Sequence, residues 1–225
     1  MMKTTTTKIM IWDDLEVYVD DLVIKSKRES NMLEDIEETL NTLRSAQMKL
    51  NPEKCSFGVQ EWKFLGVMVT KDGIKANPCK VQAILDMESP KSLKEVQRLN
   101  GRLIALSRFL SRIAERSLPF ITTLKKCLKK NQFKWTQEAE LSFKSIKQHL
   151  SELPSLTTPV PRETIMIYLS SEKAISTVLL VEQAGKHIPI YFISRTLKGG
   201  EERYASIEKA TLALVYASRR LRRYF

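Results

Sequence analysis

Three prolines within eight residues, Pro154, Pro159 and Pro161, constrain this chain more than any other feature, because none of them can continue a helix or donate to a strand ladder. They divide 225 residues into two stretches of different hydrophobic period. Beyond them, residues 164–169, 175–182 and 188–194 alternate or run apolar as three consecutive strands, and 201–225 reads mainly as helix. A β-β-β-α order therefore follows a longer mixed stretch, and the class expected is α+β. With 43% hydrophobic residues the chain can bury a core, as one large domain or two small ones.

The stretch before the prolines carries its own punctuation. Asn31 with Glu34 three residues on predicts a helix cap, and Leu33, Ile36, Leu40, Leu43 and Met48 repeat at helical spacing over 32–49. Residues 57–74 read as strands, with Phe64 to Thr70 running into a Lys71-Asp72-Gly73 turn. Asn77-Pro78 is a cap followed by a first-turn proline, opening a short helix to Met87 that Ser89-Pro90 ends. Ser92 with Glu95 predicts a capping box and a helix to about Arg108. At 100° per residue Lys94, Arg98 and Arg102 fall on one side of it, and Val96, Leu99, Leu103 and Leu110 on the other. Further helices are expected at 119–129 and, after Trp135-Thr136, at 137–151.

The chemistry-bearing motif is Tyr18-Val19-Asp20-Asp21, flanked by Leu15-Glu16-Val17 and Leu22-Val23-Ile24. It reads as two short strands whose turn carries adjacent carboxylates, and hard oxygen ligands at a tight bend suit Mg²⁺. Paired acids of this kind hold the two ions of phosphoryl transfer about 3.5–4 Å apart. An ordinary hairpin turn, where Asp is common, fits the tetrapeptide equally.

Charge narrows the partners. Residues 1–90 hold 12 Lys/Arg against 15 Asp/Glu, while 91–150 hold 14 against 4. A block at +10 over 60 residues points to a polyanion, with nucleic acid foremost and a merely solvated basic face as the other reading. Cys55, Cys79 and Cys127 are odd in number and widely spaced, which supports neither a disulfide framework nor a zinc site. His149 and His187 stand alone. Ile9-Met10-Ile11-Trp12 is too short for a secretory h-region, and no run approaches the roughly 20 apolar residues of a membrane span. The expectation is a cytoplasmic or nuclear protein, neither secreted nor membrane-bound.

Taken in order, the motifs resemble the central part of the Pol polyprotein of gypsy-type long-terminal-repeat retrotransposons, particularly plant ones. Glu16 to Asp21 with Lys25-Ser26-Lys27 resembles the polymerase palm motif, and Leu50-Asn51-Pro52-Glu53-Lys54-Cys55, Phe64-Leu65-Gly66 and Asp72-Gly73-Ile74 resemble the next segment of that polymerase. Val96 to Arg102 resembles the thumb helix, and Phe133-Lys134-Trp135-Thr136 the connection. Pro189 to Arg195, Glu202-Arg203-Tyr204 and Glu208-Lys209 resemble the front half of the RNase H domain. The resemblance implies a partial palm over 1–90, thumb and connection over 91–160, and a truncated RNase H-like β-β-β-α domain over 161–225. It implies Mg²⁺ as cofactor, an RNA–DNA hybrid or duplex as partner together with other parts of the Pol polyprotein, and RNA-directed DNA synthesis with hybrid hydrolysis as the ancestral chemistry.

By position, the resemblance makes Asp20 and Asp21 catalytic metal ligands, with Tyr18 and Val19 at the primer terminus. Trp62 and Gly66 would lie on a hairpin that holds the primer strand, Lys94, Arg98 and Arg102 would touch the duplex backbone, and Glu208 would be an RNase H metal ligand. The chain departs from the family in two ways. No upstream palm aspartate is present, since Asp13 and Asp14 lie too close to the turn, and Leu169 stands where the first RNase H aspartate belongs. The expectation is thus a reverse transcriptase fragment inactive alone, with a non-catalytic nucleic-acid-binding protein or a decayed reading frame as alternatives.

Overall fold

Strand and helix signals in this chain resolve into two compact units, Met1–Val59 and Gln60–Phe225, in a computed structural model that describes residues 15–19, 21–26, 28–130 and 133–224. In the first unit, β1 (Leu15–Tyr18) and β2 (Asp21–Ile24) form an antiparallel hairpin with Tyr18 opposite Asp21. A 3₁₀ turn then leads into α1 (Met32–Ser45). The helix begins where the sequence predicts, yet Asn31 keeps helical dihedrals and makes no side-chain cap bond, since its oxygen accepts instead from Ser30 Oγ. It also ends short of residue 49, because Gln47 turns left-handed at φ 58°.

The second unit opens with a three-stranded meander, β3 (Glu61–Phe64), β4 (Val67–Thr70) and β5 (Gly73–Ala76). The apolar run from Phe64 to Thr70 is therefore two strand ends and a turn, with Leu65 and Gly66 at φ 48° and 77°. Hydrophobicity alone does not reveal such a reversal, because the last residue of β3, the turn and β4 form one uncharged, largely apolar run. Next come α2 (Pro78–Leu85), α3 (Leu93–Leu106), the single turn α4 (Ile113–Arg116), α5 (Leu118–Lys130) and α6 (Gln137–Leu150). The predicted caps form: Asn77 accepts from Cys79 N, Ser92 from Glu95 N and Thr136 from Ala139 N. Glu95, however, reaches back to Lys91 N in place of Ser92 N.

The apolar faces of these helices share one core, in which Val96, Leu99 and Leu103 of α3 meet Phe120 of α5 and Phe143, Ile146 and Leu150 of α6. Trp135 stacks on Phe120 at 5.6 Å and meets Phe143 edge-on at 6.3 Å. The proline stretch does not dangle. Leu156 exchanges two 2.8 Å backbone bonds with Ile74 of β5, and Thr157 N donates to Pro189 O.

Beyond it, β6 (Ile165–Ser170), β7 (Ala174–Gln183) and β8 (Lys186–Thr196) make an antiparallel sheet in sequential order, with β8 at one edge. Ile175 and Leu179 on β7 pack beneath α7 (Ser206–Arg220), which buries Ala213 and Ala217, and Leu221 just after it. Small residues on α7 let helix and sheet approach closely. The opposite face of the sheet receives α4 and the 3₁₀ turn Ser107–Phe109, pinned where Ala114 N donates to Ser194 Oγ at 3.1 Å. Among the described residues no helix is long and apolar enough to cross a membrane.

Candidate nucleic-acid interface and metal-ligand positions

The first hairpin reverses between Tyr18 and Asp21, and tight reversals of this kind need left-handed backbone that Asn and Gly tolerate best. Here Val19 takes the position at φ 54°, 82% exposed. A β-branched residue there is a backbone outlier that costs on the order of 1–3 kcal/mol. Tyr18 and Asp21 flank it and are exposed, and a Glu16–Lys25 ion pair crosses the hairpin behind them. Asp20 lies outside the described residues. Of the two expected palm ligands, the described one is thus Asp21, a single carboxylate on the strand side of the turn.

On the second hairpin, Trp62 of β3 sits opposite Val69 and is 39% exposed. Gly66 has a clear reason to be glycine in its φ of 77°, while the nearest atom to a Cβ there would be Lys80 Nζ, the flexible end of a side chain that can move aside. The close approach to Gly66 is thus made by a lysine of α2.

Along α3 the predicted division of faces holds for Lys94 and Arg98, which are exposed opposite the buried Val96, Leu99 and Leu103. Arg102 differs. Half-buried, it donates from Nη1 to the carbonyl of Ala83. Lys147 of α6 likewise donates to the carbonyls of Leu85 and Met87, so two cations close the C-terminal end of α2, where free carbonyls and the helix dipole favour positive charge. No sequence spacing signals either contact, because both cross between helices.

In the β-β-β-α region, Leu169 pairs with Thr177 on the central strand. It shares the β6 face of Ile165 and Ile167, which pack with Leu221 below α7. The Thr177 hydroxyl on that side is buried without a hydrogen-bond partner among the described residues. Glu208 stands exposed in the first turn of α7, and its Oε2 accepts from Ala205 N at 2.8 Å, capping the helix. A firmer ion pair lies nearby: Arg195 makes a bidentate contact to Glu201 at 2.7 and 3.0 Å. That guanidinium, with help from the Lys198 backbone N–H, holds the Glu201 carboxyl at about 2.

Mg²⁺ requires several oxygen ligands in near-octahedral array. Among the described residues no three His, Cys, Asp or Glu side chains converge, and Glu208 has one oxygen already engaged as a cap. The described residues do not fit a magnesium site. One cationic cluster escaped the sequence reading altogether, Arg108 and Arg223 about the Tyr191 ring, and its only signal was the arginine-rich run 219–224.

Residues 7–69 match reverse transcriptase (RNA-dependent DNA polymerase), and residues 135–225 match the RNase H-like domain found in reverse transcriptase. The Retrovirus-related Pol polyprotein from transposon 297 of Drosophila melanogaster is 36% identical over 211 residues, 92% of this chain and 19% of that polyprotein. The chain is a reverse transcriptase and RNase H-like segment of a retrotransposon Pol polyprotein. The Pol polyprotein of transposon opus, also from Drosophila melanogaster, is 34% identical across 92% of this segment and 22% of its own length. The Transposon Tf2-3 polyprotein of Schizosaccharomyces pombe is 26% identical across 92% and 16%. The segment spans about a fifth of the length of the curated relatives it matches.

Its fold is similar to that of a foamy viral protease-reverse transcriptase solved in complex with RNA/DNA hybrid, with TM-score 0.78 at 22% identity over 92% of this segment and 28% of that chain. A form of the same viral protein in complex with double-stranded DNA gives TM-score 0.75 at 21% identity, over 90% and 42%.

Proposed function

We propose that this segment grips the backbone of an RNA–DNA hybrid or duplex through the outer face of α3, and that it neither extends nor cleaves the strand by itself. The observation that supports the reading is the pairing of a fully buried α3 face with an exposed one bearing Lys94 and Arg98, inside the +10 block. Phosphate contacts of this kind fix position without reading sequence. The viral proteins of similar fold were solved with nucleic acid, which is consistent with the same class of partner here.

Within this reading residues 1–90 serve as partial palm, 91–160 as thumb and connection, and 161–225 as RNase H-like domain. Tyr18 and Val19 would meet the primer terminus, Trp62 and Gly66 the primer strand, and Arg102 would brace α3 from behind. Asp20 and Asp21 would be metal ligands of the polymerase centre and Glu208, separately, of the RNase H-like centre, each set being incomplete without donors from other parts of the Pol polyprotein. Leu169 supports an inactive RNase H-like site, since an alkyl group cannot ligate a metal. The finer assignment to a plant gypsy-type lineage, acting in cytoplasm or nucleus, rests on the ordered motifs alone.

A filter-binding titration of an RNA–DNA hybrid against salt tests the proposal. Log affinity should fall linearly with log salt, and Lys94→Gln with Arg98→Gln should reduce the slope by about two units at ~0.9 per phosphate lost. A flat salt dependence, or a slope unchanged in that variant, would overturn it.

A further inference from the structure

We infer that the edge strand β8 carries a second phosphate-backbone site, built from Arg108, Arg223 and Tyr191 and separate in its residues from the α3 face. The inference rests on the reading that the segment binds nucleic acid. Two layers of the fold deliver the two arginines to one ring. Arg108 comes from the 3₁₀ turn Ser107–Phe109 that packs against β8, and Arg223 from the 3₁₀ turn Arg222–Tyr224 that follows α7. Their Cζ atoms lie 4.6 and 5.9 Å from the Tyr191 ring centroid. Arg223 also sits 4.9 Å from the Tyr224 ring and donates to its hydroxyl at 3.0 Å.

An aromatic face attracts one cation well, but a second brings repulsion that the ring quadrupole does not offset. An anion placed against both guanidinium groups relieves that repulsion. Among the described residues none forms an ion pair with either arginine. Arg108 Nε is moreover buried with no hydrogen-bond partner, so its guanidinium is partly desolvated and only its outer edge remains for a ligand. Two forks held on an aromatic support, short of one negative charge, fit an anion with several acceptor oxygens in the guanidinium planes. A phosphodiester meets that need. Arg219, Arg220 and Arg222 are exposed in the same run, so the positive potential extends along a path and favours a strand over an isolated phosphate.

The experiment measures fluorescence anisotropy of a labelled RNA–DNA hybrid with the whole 225-residue chain between 50 and 200 mM salt. Four proteins are compared: wild type, Arg108→Gln/Arg223→Gln, Arg108→Lys/Arg223→Lys and Lys94→Gln/Arg98→Gln. The Gln pair at β8 should cut the salt slope by about two units and weaken binding on the order of tenfold or more at 50 mM. The Lys pair, which keeps both charges and packs similarly, should retain the slope and serves as the folding control. If the β8 Gln pair binds with the wild-type slope while the α3 pair loses it, this inference fails and the proposed function stands. The reverse result overturns the α3 assignment alone, and a wild type that binds no hybrid overturns both. A polyglutamate chain that competes as well as the hybrid for the Arg108- and Arg223-dependent component would overturn the phosphodiester class.

Discussion

Lys147 Nζ lies 2.8 Å from the carbonyl oxygen of Leu85, placing a cation from α6 on the open end of α2. It also bonds Met87 O and sits 4.7 Å from the Phe143 ring centroid, so one side chain ties two helices and an aromatic core together.

Lys147→Met should therefore destabilise the second unit by about 1–3 kcal/mol, the usual range for charge-assisted bonds to half-buried carbonyls. Urea denaturation reads this directly. Lys94→Met, on the exposed face of α3, should change stability by no more than about 0.5 kcal/mol. Equal effects at both positions would refute the role given to Lys147.

Gly73→Ala tests the clasp between β5 and the proline stretch. At Gly73, φ is 133° and an added Cβ would fall 2.0 Å from Leu156 O, a backbone atom that cannot swing aside. The two Ile74–Leu156 bonds should break, with a loss of more than about 2 kcal/mol in chemical denaturation. Gly185→Ala provides the contrast, since its φ is 72° but nothing lies within 4 Å, and about 1 kcal/mol is expected there.

The Arg195–Glu201 pair sets an acid limit. The Glu201 carboxyl is lowered from 4.5 to about 2, chiefly by the Arg195 hydrogen bonds. A depressed carboxylate contributes stability that is fully present above its unfolded value and is lost as pH falls through the folded one. Wild type should lose this contribution between about pH 4.5 and 2, whereas Glu201→Gln should show a shallower decline over that interval. Parallel curves of melting temperature against pH would sink the assignment.

Leu169→Asp probes the RNase H-like region. If residue 169 and the start of α7 face each other as an RNase H-like assignment of 161–225 implies, the new carboxylate and Glu208 should bind Mn²⁺ weakly, readable as a metal-dependent rise in melting temperature that a further Glu208→Gln removes. No hybrid should be cut, because two carboxylates do not hold two metals in line. No metal effect in the single variant would show that the two positions do not face each other.

Much of this architecture was legible because its signals are local. Asn77, Ser92 and Thr136 cap helices within three residues of themselves, and the apolar runs that mark β6, β7 and β8 need only the strand's own sequence. The features that escaped depend on partners distant in the chain. Arg102 was expected on the solvent face with Lys94 and Arg98, because helical phase cannot show that a carbonyl 19 residues earlier waits beside it. Arg108 and Tyr191 meet only after α3 and β8 have packed. The Leu65-Gly66 reversal stayed hidden within an unbroken apolar run, and α4 is too short for any period to register. At the first hairpin the motif marks two short strands with a reversal between them, but Asp21 begins β2, and the strain at Val19 is a dihedral property that residue type does not announce.

The Ile74–Leu156 bridge makes residues 75–155 a closed excursion that leaves β5 and returns to its side. All of the helices from α2 to α6 hang within that excursion, including the lysine and arginine proposed to hold a duplex. A load drawn on α3 by a moving nucleic-acid strand would then be shared between this rung, the two chain ends beside it and the Ala114–Ser194 bond to β8. One glycine and one carbonyl thus help fasten the helical excursion to β5, far in sequence from the residues that would feel the pull.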